Sequence, residues 1–185
     1  MILENTRLAR LDEIEAAVWA ELAAAPHDKA HPWRVGVLAT VADDTADARS
    51  VVLRDLDQPL RSLLIYADSR SPKAAQMAAH PKGTLVLWSP TRGWQLRLRV
   101  ALSMQTSGLE VSSRWARMKM NPGAQDYLSP LPPGTRVEHP RPERGSRGHF
   151  GVISAAINGI DWLELHADGH RRAHFDADGA HWVAP

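Results

Sequence analysis

The chain has 185 residues, 44% of them apolar and 23% charged, with a formal net charge of +1; it is long enough to bury a substantial core, and global disorder is excluded. So small a net charge gives no bulk attraction for nucleic acid or an anionic membrane, so any anion must be bound locally. The absence of cysteine excludes disulfides, Cys-ligated zinc, iron–sulfur clusters and thiol catalysis, and fits a cytoplasmic setting.

The first residues lack a basic stretch followed by an apolar one, so no signal peptide is expected. No apolar run approaches the ~20 residues that span a bilayer. From Thr6 to Ala25, Leu8, Leu11, Ile14, Ala17, Val18 and Leu22 recur at helical spacing, and Pro26 ends the helix. Strands are expected over Arg34–Val41, Ala48–Leu56 and Leu60–Ala67, with turns at Asp43-Asp44 and Asp57-Gln58-Pro59. A short helix follows over Ser71–Ala79, with Ser71 as N-cap and Pro72 at its first position. Two more strands, Thr84–Trp88 and Trp94–Met104, flank a turn at Ser89–Gly93, and Leu109–Met118 reads as helix.

From Asn121 to Gly148 prolines, glycines and serines mix with charges, which predicts a long irregular surface loop. Four short strands are expected after it: Phe150–Ala156, Ile160–His166, His170–Asp176 and His181–Ala184. Asn158-Gly159, Asp168-Gly169 and Asp178-Gly179 would turn the chain between them. The whole is expected to be one domain over residues 1–185, a mainly β, mostly antiparallel barrel with helices packed on it.

Chemistry-bearing residues gather between Ala48 and Ser103. Alternation places Trp94, Leu96, Leu98 and Val100 on one face of their strand and Gln95, Arg97 and Arg99 on the other. Gln95 suits the edge of a heterocycle and the arginines suit phosphate or carboxylate, or the face is simply solvated. Arg49 and Arg54 bracket Ser50-Val51-Val52-Leu53; five apart on a regular strand, they face opposite sides unless a bulge or a subunit interface intervenes. Ser71-Pro72-Lys73, with Arg70 before it, gathers a hydroxyl, an ammonium, a guanidinium and free helix N–H groups, either as an anion site or as an N-cap with a surface lysine. His166, His170 and His174 fall on a hairpin, where four-residue spacing does not align them for a metal. Asp176-Ala177-Asp178-Gly179 reads as a turn and lacks the glutamate of a calcium loop. There is no Gly-x-Ser-x-Gly, no phosphate-binding Gly-rich loop and no dinucleotide fingerprint. Most of the seven tryptophans are expected to be core or interface anchors, while Trp88 and Trp94 flank the candidate site and are candidates to wall an aromatic cofactor.

In order, Arg49-Ser50-Val51-Val52-Leu53-Arg54, Tyr66-Ala67-Asp68…Ser71-Pro72-Lys73-Ala74, His80-Pro81…Trp88, Trp94-Gln95-Leu96-Arg97 and the terminal His181-Trp182-Val183-Ala184-Pro185 resemble the pyridoxamine 5′-phosphate oxidase-like, FMN-binding split-barrel family. The resemblance implies a six-stranded, antiparallel, Greek-key-like barrel with flanking helices, acting as a homodimer with FMN at the interface. It implies that Arg49 and Arg54 contact the flavin and its phosphate, and that the backbone of Val51, Val52 and Leu53 faces the ring edge. Tyr66 and Ala67 would line the ribityl chain. Ser71, Lys73 and, in place of the arginine that Pro72 replaces, Arg70 would hold the phosphate. Gln95 would reach the ring from the other subunit. Leu163 stands where the family has a flavin-contacting tryptophan, and Arg171-Arg172-Ala173 where it has a substrate-binding Arg-x-His. Arg171 and Arg172 are thus candidates for a substrate phosphate.

The function implied is an FMN-dependent oxidoreductase passing a hydride between a small substrate and flavin N5, with the protein supplying orientation and electrostatics. The substrate is pyridoxamine or pyridoxine phosphate or an unrelated small molecule. Two alternatives stay open: a non-catalytic flavin or haem module, with His149 or His174 as haem ligand, and a deazaflavin-dependent reductase on the same barrel.

Overall fold

The computed structural model describes residues 7–120, 122–139 and 147–185. The expected helix start at Thr6, and Asn121 and residues 140–146 of the expected loop, lie outside the described residues. Helix α1 (Leu11–Ala24) is followed by strands β1 (Val35–Ala42), β2 (Thr45–Asp57) and β3 (Ser62–Asp68). Then come α2 (Pro72–Ala79), β4 (Lys82–Ser89), β5 (Trp94–Gln105), α3 (Leu109–Met118), β6 (Phe150–Glu164), β7 (Arg171–Asp176) and β8 (Gly179–Val183). No helix among the described residues is long and apolar enough to cross a membrane.

All strand pairs are antiparallel, in the order β3-β2-β1-β4-β5-β6-β7-β8, and β3 also pairs with β6. That pairing closes β1 to β6 into the expected six-stranded barrel, and β7 and β8 extend from β6 as a flap. Inward side chains such as Leu38, Leu53, Leu85, Leu96, Leu98 and Ile153 fill the barrel. The α1 stripe Ile14, Val18 and Leu22, one helical turn apart, packs into the same core. A second cluster lies outside the barrel wall, where Val111, Trp115 and Met118 of α3 cover Leu64, Phe150 and Val152.

Three expectations are corrected. Asn158-Gly159 is not a hairpin turn: Phe150–Glu164 is one strand, and Asn158 is the extra residue of a bulge, because Arg99 faces Gly159 while Val100 faces Ile157. Inward positions run Ile153, Ala155, Ile157 before the bulge and Ile160, Trp162 after it. The bulge also divides β6 between neighbours, with β3 pairing before it and β7 after it. Second, the expected irregular loop holds short 3-10 turns at Pro122–Tyr127 and Arg147–His149. Third, Trp94 is no cofactor wall. It is 4% exposed, tilted against Trp33 and edge-on to Trp162 in the core, whereas Trp88 lies on the outer face.

Deleting Asn158 removes the bulge and leaves β6 in regular register with β5: Gly159 then follows Ile157 opposite Arg99, and Ile160 and Trp162 still face inward. The variant is therefore expected to keep a cooperative thermal transition by circular dichroism, and loss of that transition would refute the assignment.

Candidate functional site

Strand β2 pairs with β1 over Thr45–Val52 but meets β3 only from Leu53 to Asp57. Arg54 causes the parting: Leu53 faces Ile65 and Asp55 faces Leu64, which leaves Arg54 as a bulged, unpaired residue. β3 pairs with β6 along its whole length, and beyond Ile65 it has no other strand partner among the described residues, with Tyr66, Ala67 and Asp68 opposite Val152, Gly151 and Phe150. The edge of β2 before Leu53 thus has no strand on its β3 side among the described residues. Backbone groups along an open edge seek other partners. The start of α2 lies at this parting, which forms the cleft: Lys73 is near enough to feel the charges of Arg49 and Asp47 on β2 and of Asp68 at the end of β3.

The expected cofactor residues divide by position. Val51, Leu53 and Ala67 bury their side chains in the barrel, so only their backbone can face the cleft, while Val52 points outward. Arg49 lies on the inner face of β2. Its guanidinium donates to the Leu38 carbonyl (3.2 Å), Thr40 Oγ1 (2.5 Å) and Gln76 Oε1 (3.1 Å), and it pairs with Asp47 (2.5 Å). Arg54 lies over the Tyr66 ring, 5.6 Å from its centroid, and donates from Nη2 to the Tyr127 hydroxyl at 3.2 Å. Its Nε is buried without a hydrogen-bond partner among the described residues.

At α2, Ser71 is 2% exposed and donates its hydroxyl proton to the Asp68 carbonyl (2.7 Å) instead of capping the helix. Lys73 Nζ donates to Ser71 Oγ at 3.2 Å. Burial, and then the nearby Arg49 charge, push the Lys73 ammonium below its ordinary pKa, against the pull of Asp68 and Asp47. Arg70 points away from Lys73. It forks onto Asp68 (3.1 and 2.7 Å) and donates to the carbonyls of Ser129, Pro130 and Leu131.

Gln95 sits on the outer face of β5, opposite Trp88 and Leu163. Arg97 and Arg172 share that face and both bind Asp161, with Arg172 Nε and Nη2 at 2.9 and 2.7 Å. Arg171 points to the other side, where it forks onto Glu164 (2.9 and 3.0 Å) and reaches the Leu8 carbonyl at 2.7 Å. Glu164 also accepts from Arg7 and the Trp94 indole. The two arginines expected to act together are therefore parted by strand alternation, and Arg171 ties the N-terminal segment to the barrel. Of the histidines, His166 Nδ1 accepts from the Asp168 amide within its hairpin, and His174 Nε2 lies 3.5 Å from Asp161.

Several residues that shape the site escaped the sequence reading: Thr40, Asp47 and Gln76 around Arg49, Tyr127 against Arg54, and Asp161 between Arg97 and Arg172. Only strand register could have revealed Asp161, which lies directly across from Arg97.

A closed barrel whose second and third strands part beside a group of cations defines a split barrel. Residues 16–105 match the family model described as pyridoxamine 5′-phosphate oxidase, FMN-binding domain. Among curated proteins, the pyridoxine/pyridoxamine 5′-phosphate oxidase of Caulobacter vibrioides is 29% identical over 143 residues, which cover 74% of this chain. The aligned part spans 62% of the length of that relative. Among solved structures, a pyridoxamine 5′-phosphate oxidase-related, FMN-binding protein from Nostoc punctiforme aligns with a TM-score of 0.69 at 21% identity, over 97% of this chain and 100% of that one. PhzG from Burkholderia lata, in complex with tetrahydrophenazine-1-carboxylic acid, aligns at 0.68 and 17% identity, over 100% and 98%. By this match over residues 16–105 and by its fold, the chain is similar to the pyridoxamine 5′-phosphate oxidase-like, FMN-binding split-barrel family.

The Asp161 cluster has a clear acid signature. Burial pushes the carboxyl up, but the hydrogen bonds from Arg172 and Arg97 outweigh it and hold its pKa at about 2, against an ordinary 3.8. A folded-state pKa below the unfolded one gives stability that is complete above the ordinary value and lost as pH falls toward 2. Asp161→Asn is therefore expected to be less stable than the parent by roughly 2 kcal/mol at pH 6, with the gap narrowing by pH 2. Urea unfolding at the two pH values checks this, and a constant gap would contradict it.

Proposed function

We propose that this chain is an FMN-dependent oxidoreductase that holds the FMN phosphate in the cleft between β2, β3 and the start of α2. The observation that carries the reading is Lys73, half-buried beside Arg49 with, among the described residues, only a serine hydroxyl for a hydrogen-bond partner. Two cations gathered there are costly without an anion, and a phosphate would favour the charged form of Lys73.

The residues present fit such a group. Lys73 Nζ, the Ser71 hydroxyl once it turns from Asp68, and the Lys73 backbone N–H at the start of α2 suit phosphate oxygens. Pro72 has no N–H to add. Arg54 Nε is a buried donor awaiting an acceptor. The open edge of β2 offers backbone groups to a planar ring lying along it. When bound, FMN supplies hydride acceptance and donation at its N5. The protein orients the ring, excludes water with the buried floor of Val51, Leu53 and Ala67, and presents amide hydrogen-bonding groups through Gln95.

Gln95 is carried to the ring by a second copy. Val35, Val37, Val41 and Trp88 form an outward apolar face on β1 and β4, each between 39% and 51% exposed. Beside it a depression of about 670 Å³ is lined by Ala39, Val41, Ala46, Gly83, Thr84 and Ala101 among others. An apolar patch of this kind favours association. β2 belongs to both regions: its outer side chains border the apolar face and its free edge borders the cleft. A homodimer built on this face would therefore bring one protomer's Gln95 toward its partner's cleft.

The likeness to the Caulobacter oxidase makes a small phosphorylated substrate, pyridoxine or pyridoxamine phosphate, the first to test. Arg172 shares the Gln95 face, but its Nε and Nη2 are taken by Asp161, so a substrate phosphate would meet it through Nη1. The cysteine-free composition supports a cytoplasmic setting. The haem alternative gains nothing from His174, whose Nε2 faces Asp161.

Lys73→Ala and Arg54→Ala are each expected to weaken FMN binding by about 1.5–3 kcal/mol, the scale of a charge-assisted hydrogen bond, measured by fluorescence titration. Unchanged affinity in both would overturn the site. Val37→Asp with Trp88→Asp is expected to give a monomer by analytical ultracentrifugation, and a monomeric parent protein would contradict the interface.

A further inference from the structure

The segment Tyr127–Leu131 is held by the groups that border the cleft. The Tyr127 hydroxyl meets Arg54 Nη2 at 3.2 Å, and its ring packs edge-on against Tyr66 and Phe150 at 6.4 and 5.5 Å between centroids. Leu128 packs on the second apolar cluster. Two residues further, Arg70 gathers three successive carbonyls, those of Ser129 (2.8 Å), Pro130 (2.9 Å) and Leu131 (3.3 Å). Ser129 Oγ folds back onto the Leu131 carbonyl at 2.9 Å and keeps the turn tight.

Arg70 is aimed at those carbonyls by Asp68, which accepts its Nε and Nη2 as well as its backbone N–H at 2.8 Å. Asp68 is 7% exposed, and despite its burial the Arg70 hydrogen bonds hold its carboxyl below the ordinary range. A guanidinium has five N–H donors in a fixed fork. Here Nε and Nη2 engage Asp68, while Nη1 and Nη2 reach the carbonyls. A phosphate on Arg70 would have to displace the carbonyls from donors already in use. Proline at 130, 132 and 133 stiffens the segment, so fixing a few points fixes its path.

We propose that Arg70 is a positioning residue and no phosphate ligand: it clamps Tyr127–Leu131 as a strap over the cofactor cleft, and the strap sets how fast the flavin leaves. This rests on the FMN reading above. The strap's two fastenings, Arg54 to Tyr127 and Arg70 to the carbonyls, stand at the β2–β3 side and the α2 side of the cleft. Flavin release then requires the strap to let go, and weakening either fastening accelerates release without removing a phosphate contact.

The test compares FMN with riboflavin, which lacks the phosphate. Dissociation of each from the full chain is followed by stopped-flow fluorescence for the parent, Arg70→Lys, Tyr127→Phe and Lys73→Ala. The strap predicts that Arg70→Lys and Tyr127→Phe speed release of both flavins to a similar degree, about ten- to a hundredfold for Arg70→Lys. Lys73→Ala speeds FMN release alone. If Arg70→Lys affects FMN and spares riboflavin, Arg70 is a phosphate ligand and the strap is wrong. Limited proteolysis of the flavin-free protein separates the two readings. Faster cleavage between 127 and 139 in Arg70→Lys, in a protein that binds no flavin, would support the clamp while the FMN reading fails. Unchanged cleavage and unchanged release would overturn the clamp itself.

Discussion

The bulge at Arg54 is the feature on which the rest depends. A barrel of six paired strands has no free edge, and its backbone groups are satisfied. By inserting one unpaired residue, β2 leaves β3 at Leu53 and Ile65 and stays with β1, while β3 goes on with β6. The wall opens there and nowhere else along β2. The opening lies between the residue that makes it, Arg54, and the helix that caps it, α2. The elements around it are tied elsewhere: α1 is packed into the core and α3 is bound to the outer wall by Trp115 and Phe150. A rigid frame with one open edge can present backbone and side chains in fixed positions, which is what a bound cofactor needs.

The pairing of the basic residues separates architecture from site. Arg7 and Arg171 share the buried Glu164, Arg97 and Arg172 share Asp161, and Arg70 is matched by Asp68. An ion pair that is buried and fully hydrogen-bonded fixes geometry, and breaking one is costly. At the cleft the pattern changes. Lys73 has a hydroxyl, Arg54 a phenol and a ring face, and Arg49 a partly exposed aspartate with neutral oxygens. Desolvated positive charge with incomplete pairing is what sets this region apart, and an anion of two charges would complete it.

Much of the barrel was legible because strand alternation and turn residues survive in the sequence: β5 shows its two faces residue by residue, and Asp168-Gly169 and Asp178-Gly179 stand at real turns. Asn158-Gly159 misled because the same dipeptide that serves a hairpin also serves a bulge, and only the neighbouring strands decide between them. The opposed facing of Arg49 and Arg54 was readable from their spacing. The roles of Arg70 and Arg171 were not, because their partners lie 59 to 61 residues away at the strap for one and 163 residues away at Leu8 for the other. Trp94 looked available beside a polar face, yet its own alternation partner, Leu96, shows that it points inward.

The most direct test of the account is flavin retention. The purified protein is saturated with FMN in one sample and with riboflavin in another, passed through a desalting column, and its visible spectrum recorded. FMN is expected to stay with the protein at about one per chain and riboflavin to be largely lost, because the proposed phosphate contacts at Lys73 and Ser71 are absent for riboflavin. Retention of neither flavin, or equal retention of both, would contradict it.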